Sequence, residues 1–168
     1  MDSRKTPLKF LAKATVQRHA SALIMKFAFG HTEHERIEVD VLSYERNPVG
    51  EFHDDNWLTV EIAVQAGGFR GRAQAAIFTY ELAEFLPKLR SLHNSLSVVP
   101  VEFTTMEGQL RLVLTGDGLG HIELAGEVAD QPGIGNRLHF TLHFDQSQLA
   151  ISIGELEKVV SSYPVRQI

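Results

Sequence analysis

The stretch LTGDGLGHIELAG, which spans residues 114–126, carries residue types suited to a small binding site. Four glycines surround Asp117 and His121. A phosphate cradle needs a helix directly after its glycines, so that free N–H groups point at the anion, whereas here the sequence continues with the alternation of a strand. A calcium loop needs several spaced carboxylates, and Asp117 is the only one in the turn. The Asp117-Gly118 pair therefore predicts a hairpin turn with Gly118 at positive φ.

Histidines are the next candidates for chemistry, because imidazole nitrogens ligate metals and transfer protons. His139 and His143 lie on one predicted strand and share a face. Four residues of strand separate them by about 13 Å, which is too far to share an ion whose Zn–N bonds are near 2 Å. We therefore expect both side chains to face solvent or a partner.

Two loop-like segments contain side chains that bind metals. HTEHE covers residues 31–35 and HDD covers residues 53–55. Their loose spacing fits either a metal site, as in a metal-dependent enzyme, or a solvated loop, and we favour the loop. The sequence has no cysteine and no G-x-S-x-G motif, so it excludes thiolate chemistry and gives no sign of a serine nucleophile. We predict no catalytic residue, no cofactor and no metal.

Alternating apolar and polar residues indicate about eight strands. In IEVDVLSY, Ile37, Val39 and Val41 face one side and the acids between them face the other. Gly67-Gly68 supplies a positive-φ pair for a two-residue hairpin. The other strands are predicted in residues 24–29, NWLTVEIAVQAGGF, FRGRAQAAIF, VVPVEFT, QLRLVLT, GHIELAGEV and RLHFTLHF.

Two segments change from strand-like to helical spacing. After Phe78, leucine and phenylalanine recur every three to four residues, with Thr79 as a predicted N-cap and Pro87 as an interruption expected to kink or shorten the helix. The second helix begins near Asp145, which has the capping-box spacing to Gln148.

These elements predict an α+β fold, with an antiparallel β-rich sheet or sandwich of about eight strands and two amphipathic helices. Their order is roughly ββββα-ββββα. Each half ends in a phenylalanine, Phe78 or Phe144, that we expect to be the last core residue before the helix. The repeated order fits an internal duplication or a coincidence.

Charge divides the chain into two parts. Of its 16 basic and 21 acidic residues, residues 1–24 contain five bases and one acid. Residues 25–168 therefore keep 11 bases and 20 acids, a net charge of −9. We expect residues 1–24 to be a basic N-terminal extension outside the fold, either a targeting peptide or sequence upstream of a start at Met25. We expect residues 25–168 to form a single α+β domain.

Composition also limits the partners. An acidic domain does not suit nucleic acid, which needs a basic face, and it does suit a basic protein. No apolar run reaches the roughly 18 residues that a membrane span requires. A chain without cysteine has no need of an oxidising compartment. We therefore expect a cytoplasmic protein that binds neither nucleic acid nor membranes.

Several phrases of the sequence carry a resemblance to a known family. They are DDNWLTVEI, AGGFRGR, ELAEFLPKLRSLH, LTGDGLGH, and DQPGIGN through HFDQSQLAI. Together, over about residues 38–165, they resemble the WapI-like family of small bacterial immunity proteins. The resemblance implies a cytoplasmic protein that binds and neutralises the toxic domain of a contact-dependent or secreted antibacterial toxin. Residues 1–24 have no counterpart, and Pro87 and Gly154 depart from the ordinary helix formers of such helices.

The resemblance transfers no toxin-contacting residues, so the binding site is predicted from charge. Acidic loop residues attract a basic toxin domain, and the candidates are Glu33, Glu35, Asp54 and Asp55. The alternative is a ligand-binding β-sandwich or barrel that encloses a small apolar molecule, which ten phenylalanines would suit. An internal cavity of several hundred cubic ångströms would favour that alternative. The toxin's identity and the oligomeric state stay open.

Overall fold

The computed structural model describes residues 25–95 and 98–167 as two four-stranded antiparallel sheets and three helices. In each sheet the strands are neighbours in chain order, and one long helix follows. The first half contains β1 (Met25–Phe29), β2 (Glu35–Tyr44), the short helix α1 (Phe52–Asp55), β3 (Trp57–Ala66), β4 (Phe69–Phe78) and α2 (Thr79–Ser95). The second half contains β5 (Val101–Thr104), β6 (Leu110–Gly116), β7 (His121–Ala129), β8 (Arg137–Asp145) and α3 (Gln146–Ser162).

This architecture confirms the predicted α+β class, with eight strands in the order ββββα-ββββα. Helix α1 was not predicted, because four residues are too few to show a helical period. The expected basic extension, residues 1–24, lies outside the described residues, and the division into domains stays a prediction. No helix in the two described stretches is both long and apolar enough to cross a membrane.

The first sheet buries one face, as the alternation predicts. Ile37 and Val41 are at most 1% exposed, whereas Glu38 between them lies on the outer face. The hairpin between β3 and β4 turns at Gly67 and Gly68. Only Gly67 has a left-handed φ, of 58°, so one positive-φ glycine replaces the predicted pair, as in a type II′ turn.

The side chain that binds the backbone at the start of α2 is Glu81, and the predicted N-cap, Thr79, does not have this role. The Glu81 carboxylate accepts hydrogen bonds from the backbone N–H groups of Phe78 and Met106, both at 2.8 Å. Thr79 is the first residue inside the helix, and its hydroxyl donates to the side-chain oxygen of Asn56 at 2.6 Å. The start of α2 is therefore tied both to the β5–β6 turn and to the residue that follows α1.

The other helix predictions hold in part. Asp145 is the N-cap of α3, and its carboxylate accepts from the N–H of Gln148 at 3.0 Å, as predicted. Helix α2 continues past Pro87 to the end of its 17 residues, so the proline does not shorten it.

Farther along α3, Glu155 accepts from the N–H of Ala28 at 2.9 Å, which satisfies a donor on the edge strand β1.

Phenylalanine rings join the two halves of the molecule. Phe29 of β1 lies 6.1 Å from Phe85 of α2 and 6.3 Å from Phe144 of β8, centroid to centroid. Phe85 also lies 4.7 Å from Phe103 of β5. One cluster of buried side chains therefore includes residues from both sheets and both long helices.

Phe78 is buried as predicted, but unlike Phe144 it lies outside this cluster. The strand alternation directs its neighbour Ile77 into the core. Phe78 is only 2% exposed, but it is covered on the outer side of the sheet, where Trp57 stacks on it. The two halves thus share an order of elements without sharing the role of their last phenylalanine.

Close packing against Gly126 in the second sheet leaves no room for a side chain there. Gly126 lies opposite Phe140 of β8, and a methyl group at Gly126 would overlap the phenyl ring. We predict that Gly126→Ala lowers the free energy of unfolding by about 1–3 kcal/mol, the usual cost of overpacking. Urea denaturation measures this loss.

A double-mutant cycle tests the cause. In a Phe140→Leu background the ring is gone, so Gly126→Ala should cost less than it does in the wild type. An equal cost in both backgrounds would show that the ring does not set the requirement for glycine.

Candidate functional site

Asp55 folds the loop that follows β2. Its carboxylate accepts hydrogen bonds from the backbone N–H groups of Val49, Gly50 and Glu51 at 2.7 to 3.0 Å, and it contacts the Arg46 guanidinium at 3.3 Å. Asp55 is 4% exposed. Burial alone would raise the pKa of its carboxyl, but the N–H groups and Arg46 outweigh burial and hold that pKa below its ordinary value. The loop therefore closes around a charged carboxylate.

Asn56, which is completely buried, ties three segments together. Its side-chain nitrogen donates to the carbonyls of Phe52 at 2.7 Å and Arg166 at 3.0 Å. Its side-chain oxygen accepts from the Thr79 hydroxyl at 2.6 Å and from the Arg166 N–H at 2.8 Å. All four hydrogen-bonding positions of the amide are used, so α1, the start of α2 and the C-terminal tail meet at one side chain.

Four aromatic rings stack beside this junction. Trp57 lies 3.6 Å from Phe78, centroid to centroid. Tyr80 lies 4.6 Å from Phe78 and 5.8 Å from Phe52. The His53 ring meets the stack edge-on, and its Nδ1 is 3.5 Å from the Tyr80 hydroxyl. Phe78 is buried, His53 is exposed and the other three rings are half-buried, so the stack presents ring surface at one end of the first sheet.

Acidic residues adjoin the ring residues along the chain. Glu51 and Asp54 flank the ring residues of α1, and Glu84 lies one turn along α2 from Tyr80. Burial and the charges of Glu81 and Glu84 raise the pKa of the Tyr80 hydroxyl, so both carboxylates act on that ring. We name the following group the aromatic–acidic surface: the rings of Phe52, His53, Trp57 and Tyr80 and the carboxylates of Glu51, Asp54 and Glu84.

Several carboxylates on the sheets are paired with arginines, whereas two acids of the aromatic–acidic surface are not. Glu61, for example, pairs with Arg72 across β3 and β4 at 2.6 Å. Asp54 pairs with an arginine of its own loop at 3.1 Å. Within the described part of the chain, Glu51 and Glu84 make no ion pair and no side-chain hydrogen bond. Their charges are therefore free to act on a partner.

The four acids predicted to bind a toxin lie at opposite ends of the first sheet. Glu33 and Glu35 are at the start of β2, whereas Asp54 and Asp55 follow its end, and the strand places the two ends about 30 Å apart. Glu33 and Asp54 are exposed and Glu35 is half-buried. The expectation that all four face outward is wrong for Asp55, because the loop backbone surrounds its carboxylate. Whether the other three touch a partner stays a prediction.

The two segments with metal-binding residue types are also separated. HTEHE precedes β2 and HDD follows it, so they do not combine. Nε2 of His31 lies 3.1 Å from the Ser152 hydroxyl, and His53 belongs to the aromatic stack. Across residues 25–95 and 98–167, no group of three His, Asp or Glu side chains is placed to hold a metal ion.

The glycine-rich stretch is a hairpin turn, as predicted. It connects β6 to β7, and Gly118 has a φ of 80°. The Asp117 carboxylate accepts from the N–H of Leu119 at 2.7 Å and contacts Nδ1 of His121 at 2.7 Å. The Leu119 N–H first and His121 second lower the pKa of Asp117 to about 2. The aspartate thus holds the turn itself.

His139 and His143 lie on the outer face of the second sheet, and their predicted exposure is confirmed. His139 lies 3.5 Å from Glu127, and His143 lies 3.4 Å from Glu123. The histidine side chains are 69% and 66% exposed. They form two separate histidine–carboxylate pairs.

Several open grooves lie on the surface of the described residues. One of about 620 Å³ lies at an end of the second sheet beside His121, Glu123 and His143. Another of about 430 Å³ lies on the outer face of the first sheet beside Arg36 and Arg72. Both have charged side chains in their walls, unlike the enclosed apolar cavity that a small apolar ligand would need.

Sequence reasoning missed the aromatic stack, although a signal for it was present. Each ring had a separate explanation, because Trp57 starts a strand, Phe78 ends one and Tyr80 lies in a helix. Counting residues outward from the predicted turn at Gly67 and Gly68 places Trp57 opposite Phe78, and the observed register agrees. Strand pairing would therefore have brought the first two rings together.

Comparisons with known proteins give one match to a family. The model of the immunity protein WapI-like family matches residues 28–164. No curated protein matches the sequence. A solved structure described as "Crystal structures of trypanosoma bruciei MRP1/MRP2" is similar over 94% of this chain and 96% of its own, with 15% identity and a TM-score of 0.44. That similarity supports no argument about function.

The Asn56 junction generates a prediction about stability. Asn56→Ala leaves the Thr79 hydroxyl and the Arg166 N–H without their acceptor, so it should lower the free energy of unfolding by about 2 kcal/mol. The exposed Asn94 near the end of α2 serves as the control, and Asn94→Ala should cost less than about 0.5 kcal/mol. Equal, small losses in urea denaturation would show that other contacts hold the tail and α1.

The Asp117 turn generates a prediction about pH. Carboxyl-carbon NMR should find the pKa of Asp117 at about 2. His121→Ala should raise that pKa but leave it below 3.8, because the Leu119 N–H remains. A lowered pKa in the folded state means that the carboxylate stabilises the hairpin above its ordinary pKa and loses this effect as the pH falls towards 2. An unchanged pKa in His121→Ala would contradict the assigned contact.

Proposed function

Because the chain belongs to the WapI-like immunity protein family, we propose that it neutralises the toxic domain of an antibacterial toxin by binding it stoichiometrically. The family match over residues 28–164 carries this proposal. In the proposal the protein is a binder and not a catalyst, and it acts in the cytoplasm. The lack of cysteine suits that compartment, since the fold needs no disulfide.

Charge supports a basic partner. Residues 25–168 carry a net charge of −9, from 11 bases and 20 acids. Toxin domains that cleave nucleic acid must hold phosphates, so they present basic surfaces. Opposite net charges steer the two proteins together and raise the association rate more than the final affinity.

The small-ligand alternative has weaker support. It needs an enclosed apolar cavity, whereas the grooves beside His143 and Arg72 are open, and charged side chains are among the residues that line them. In the interior, the phenyl ring of Phe29 packs against those of Phe85 and Phe144. The interior around these rings therefore favours a protein-binding role over a ligand-binding one.

We predict that the purified protein forms a stoichiometric complex with the toxin domain encoded beside its gene. Stopped-flow mixing should show an association rate that falls steeply with salt and a dissociation rate that changes less. Reversing Glu33, Glu35 and Asp54 to lysine should slow association by about tenfold at low salt, because all three are proposed to steer the partner. Asp55 is left intact because it holds its own loop.

A matched control separates local from overall charge. Reversing Glu102, Glu123 and Glu157 changes the net charge equally, but these exposed acids lie on the second sheet and α3. Equal slowing in both triple variants would show that only the net charge matters. Absence of any complex, or turnover of a substrate by the protein alone, would contradict the proposed function.

A further inference from the structure

We propose that the aromatic–acidic surface is the contact surface for the toxin, and that the toxin places arginine or lysine side chains against it. This inference rests on the proposed function and adds the location and the chemistry of the contact. It places the contact at the end of the first sheet near Asp54 and not at the end near Glu33 and Glu35. Four features of the described residues carry it.

Partly exposed rings supply the apolar centre of the surface. Phe52, Trp57 and Tyr80 are half-buried, and they belong to one continuous stack. Tryptophan and tyrosine are enriched among the residues that contribute most to protein–protein binding, because large rigid rings lose little entropy on contact. Strand β4 starts at the exposed Phe69 and ends at Phe78 of the stack. Phe69 therefore lies at the opposite end of the sheet from the stack.

Acidic residues with free carboxylates adjoin the ring residues along the chain. Glu51 and Glu84 have no ion pair or side-chain hydrogen bond with another described residue, and Asp54 has only the loop arginine. A partner cation that packs on a ring and meets a carboxylate gains both contacts at once. Glu33 and Glu35 are also unpaired in the described chain, but no comparable ring stack is described beside them.

A contact of this kind already exists at the same end of the molecule. The guanidinium of Arg166 lies 3.4 Å from the centre of the Tyr44 ring. Arg166 also bonds to Asn56, the residue that joins α1 to the start of α2. Arginine on an aromatic ring is therefore compatible with the local geometry.

The surface is also rigid before binding. Asp55 fixes the loop before α1, and Asn56 fixes α1 to the start of α2, where Tyr80 lies. A surface that is ordered in the free protein loses less entropy when it binds. Stacked rings also suit bases of single-stranded nucleic acid, but the carboxylates of Glu51 and Glu84 repel phosphates, so a cationic protein face is the better occupant.

The first experiment uses nona-arginine as a defined cationic probe. Trp57 is the only tryptophan in the sequence, so its fluorescence reports on this surface alone. At about 0.15 M salt, where charges more than about 8 Å apart are largely screened, the probe should change Trp57 emission in the wild type. Glu51→Lys with Glu84→Lys should weaken binding about tenfold, and Tyr80→Leu should weaken it about threefold, as loss of a cation–π contact does.

Two matched controls lie at the other end of the sheet. Glu33→Lys with Glu35→Lys makes the same change in net charge, and Phe69→Leu removes an aromatic ring that is 72% exposed. Both controls should bind the probe within about twofold of the wild type. Circular dichroism verifies that each variant is folded. Probe binding by calorimetry without a Trp57 response, or equal losses in the controls, would overturn the inference.

The second experiment repeats the series with the toxin domain encoded beside the gene. The expected result is faster dissociation of the toxin from the Glu51→Lys, Glu84→Lys variant, with a dissociation rate within about twofold of the wild type in the controls, because contact residues act on dissociation and distant charges act on association. If the toxin dissociates from that variant as slowly as from the wild type, the location is wrong while the proposed function stands. If the wild type itself forms no complex, the proposed function fails and the inference fails with it.

Discussion

A buried carboxylate and a buried amide at adjacent positions, Asp55 and Asn56, must find polar partners, because an unpaired polar group out of water is strongly unfavourable. Asp55 meets this need with three consecutive backbone N–H groups, which bend the chain after β2 into a fixed loop. Asn56 meets it with groups from α1, α2 and the C-terminal tail. The positions of Phe52, His53 and Trp57 follow from this pair, since the first two precede it and Trp57 comes directly after it.

Strand alternation explains why the stack lies outside the core. Along β4 it sends Ile77 inward and Phe78 outward, and the antiparallel register places Trp57 across from Phe78. In the second half the corresponding parity sends Phe144 inward, where it meets Phe29. Because successive strand residues face opposite sides, a shift of one residue is enough to move a phenylalanine from the core to the outer face of the sheet. The two halves share a topology, but only the first has this aromatic stack on its outer side.

The sequence predicts structure correctly where a residue pattern repeats along the chain. It does not predict features that depend on a single tertiary contact. Eight strands and two long helices follow from periods of two and 3.6 residues, and the Asp117 turn follows from its Asp-Gly pair. Nothing periodic distinguishes Asp55 from Asp54, although one is buried and the other exposed. The N-cap assignment failed for a similar reason, because the Thr79 hydroxyl is drawn to Asn56, 23 residues away, while Glu81 takes over the helix start. Residues brought together by the tertiary fold carry no local signature.

The carboxylates fall into two groups, those paired with arginines in the folded protein and those without such a partner. Carboxylates on the sheet faces, such as Glu61 and Glu102, lie against arginines of neighbouring strands, where they reduce like-charge repulsion. Glu51 and Glu84 have no such partner among the described residues, although the domain is already acidic. Further negative charge in an already acidic domain opposes folding slightly through self-repulsion, so stability does not account for them. A cationic partner would remove that repulsion on binding, and part of the binding free energy would then come from relief of a cost present in the free protein.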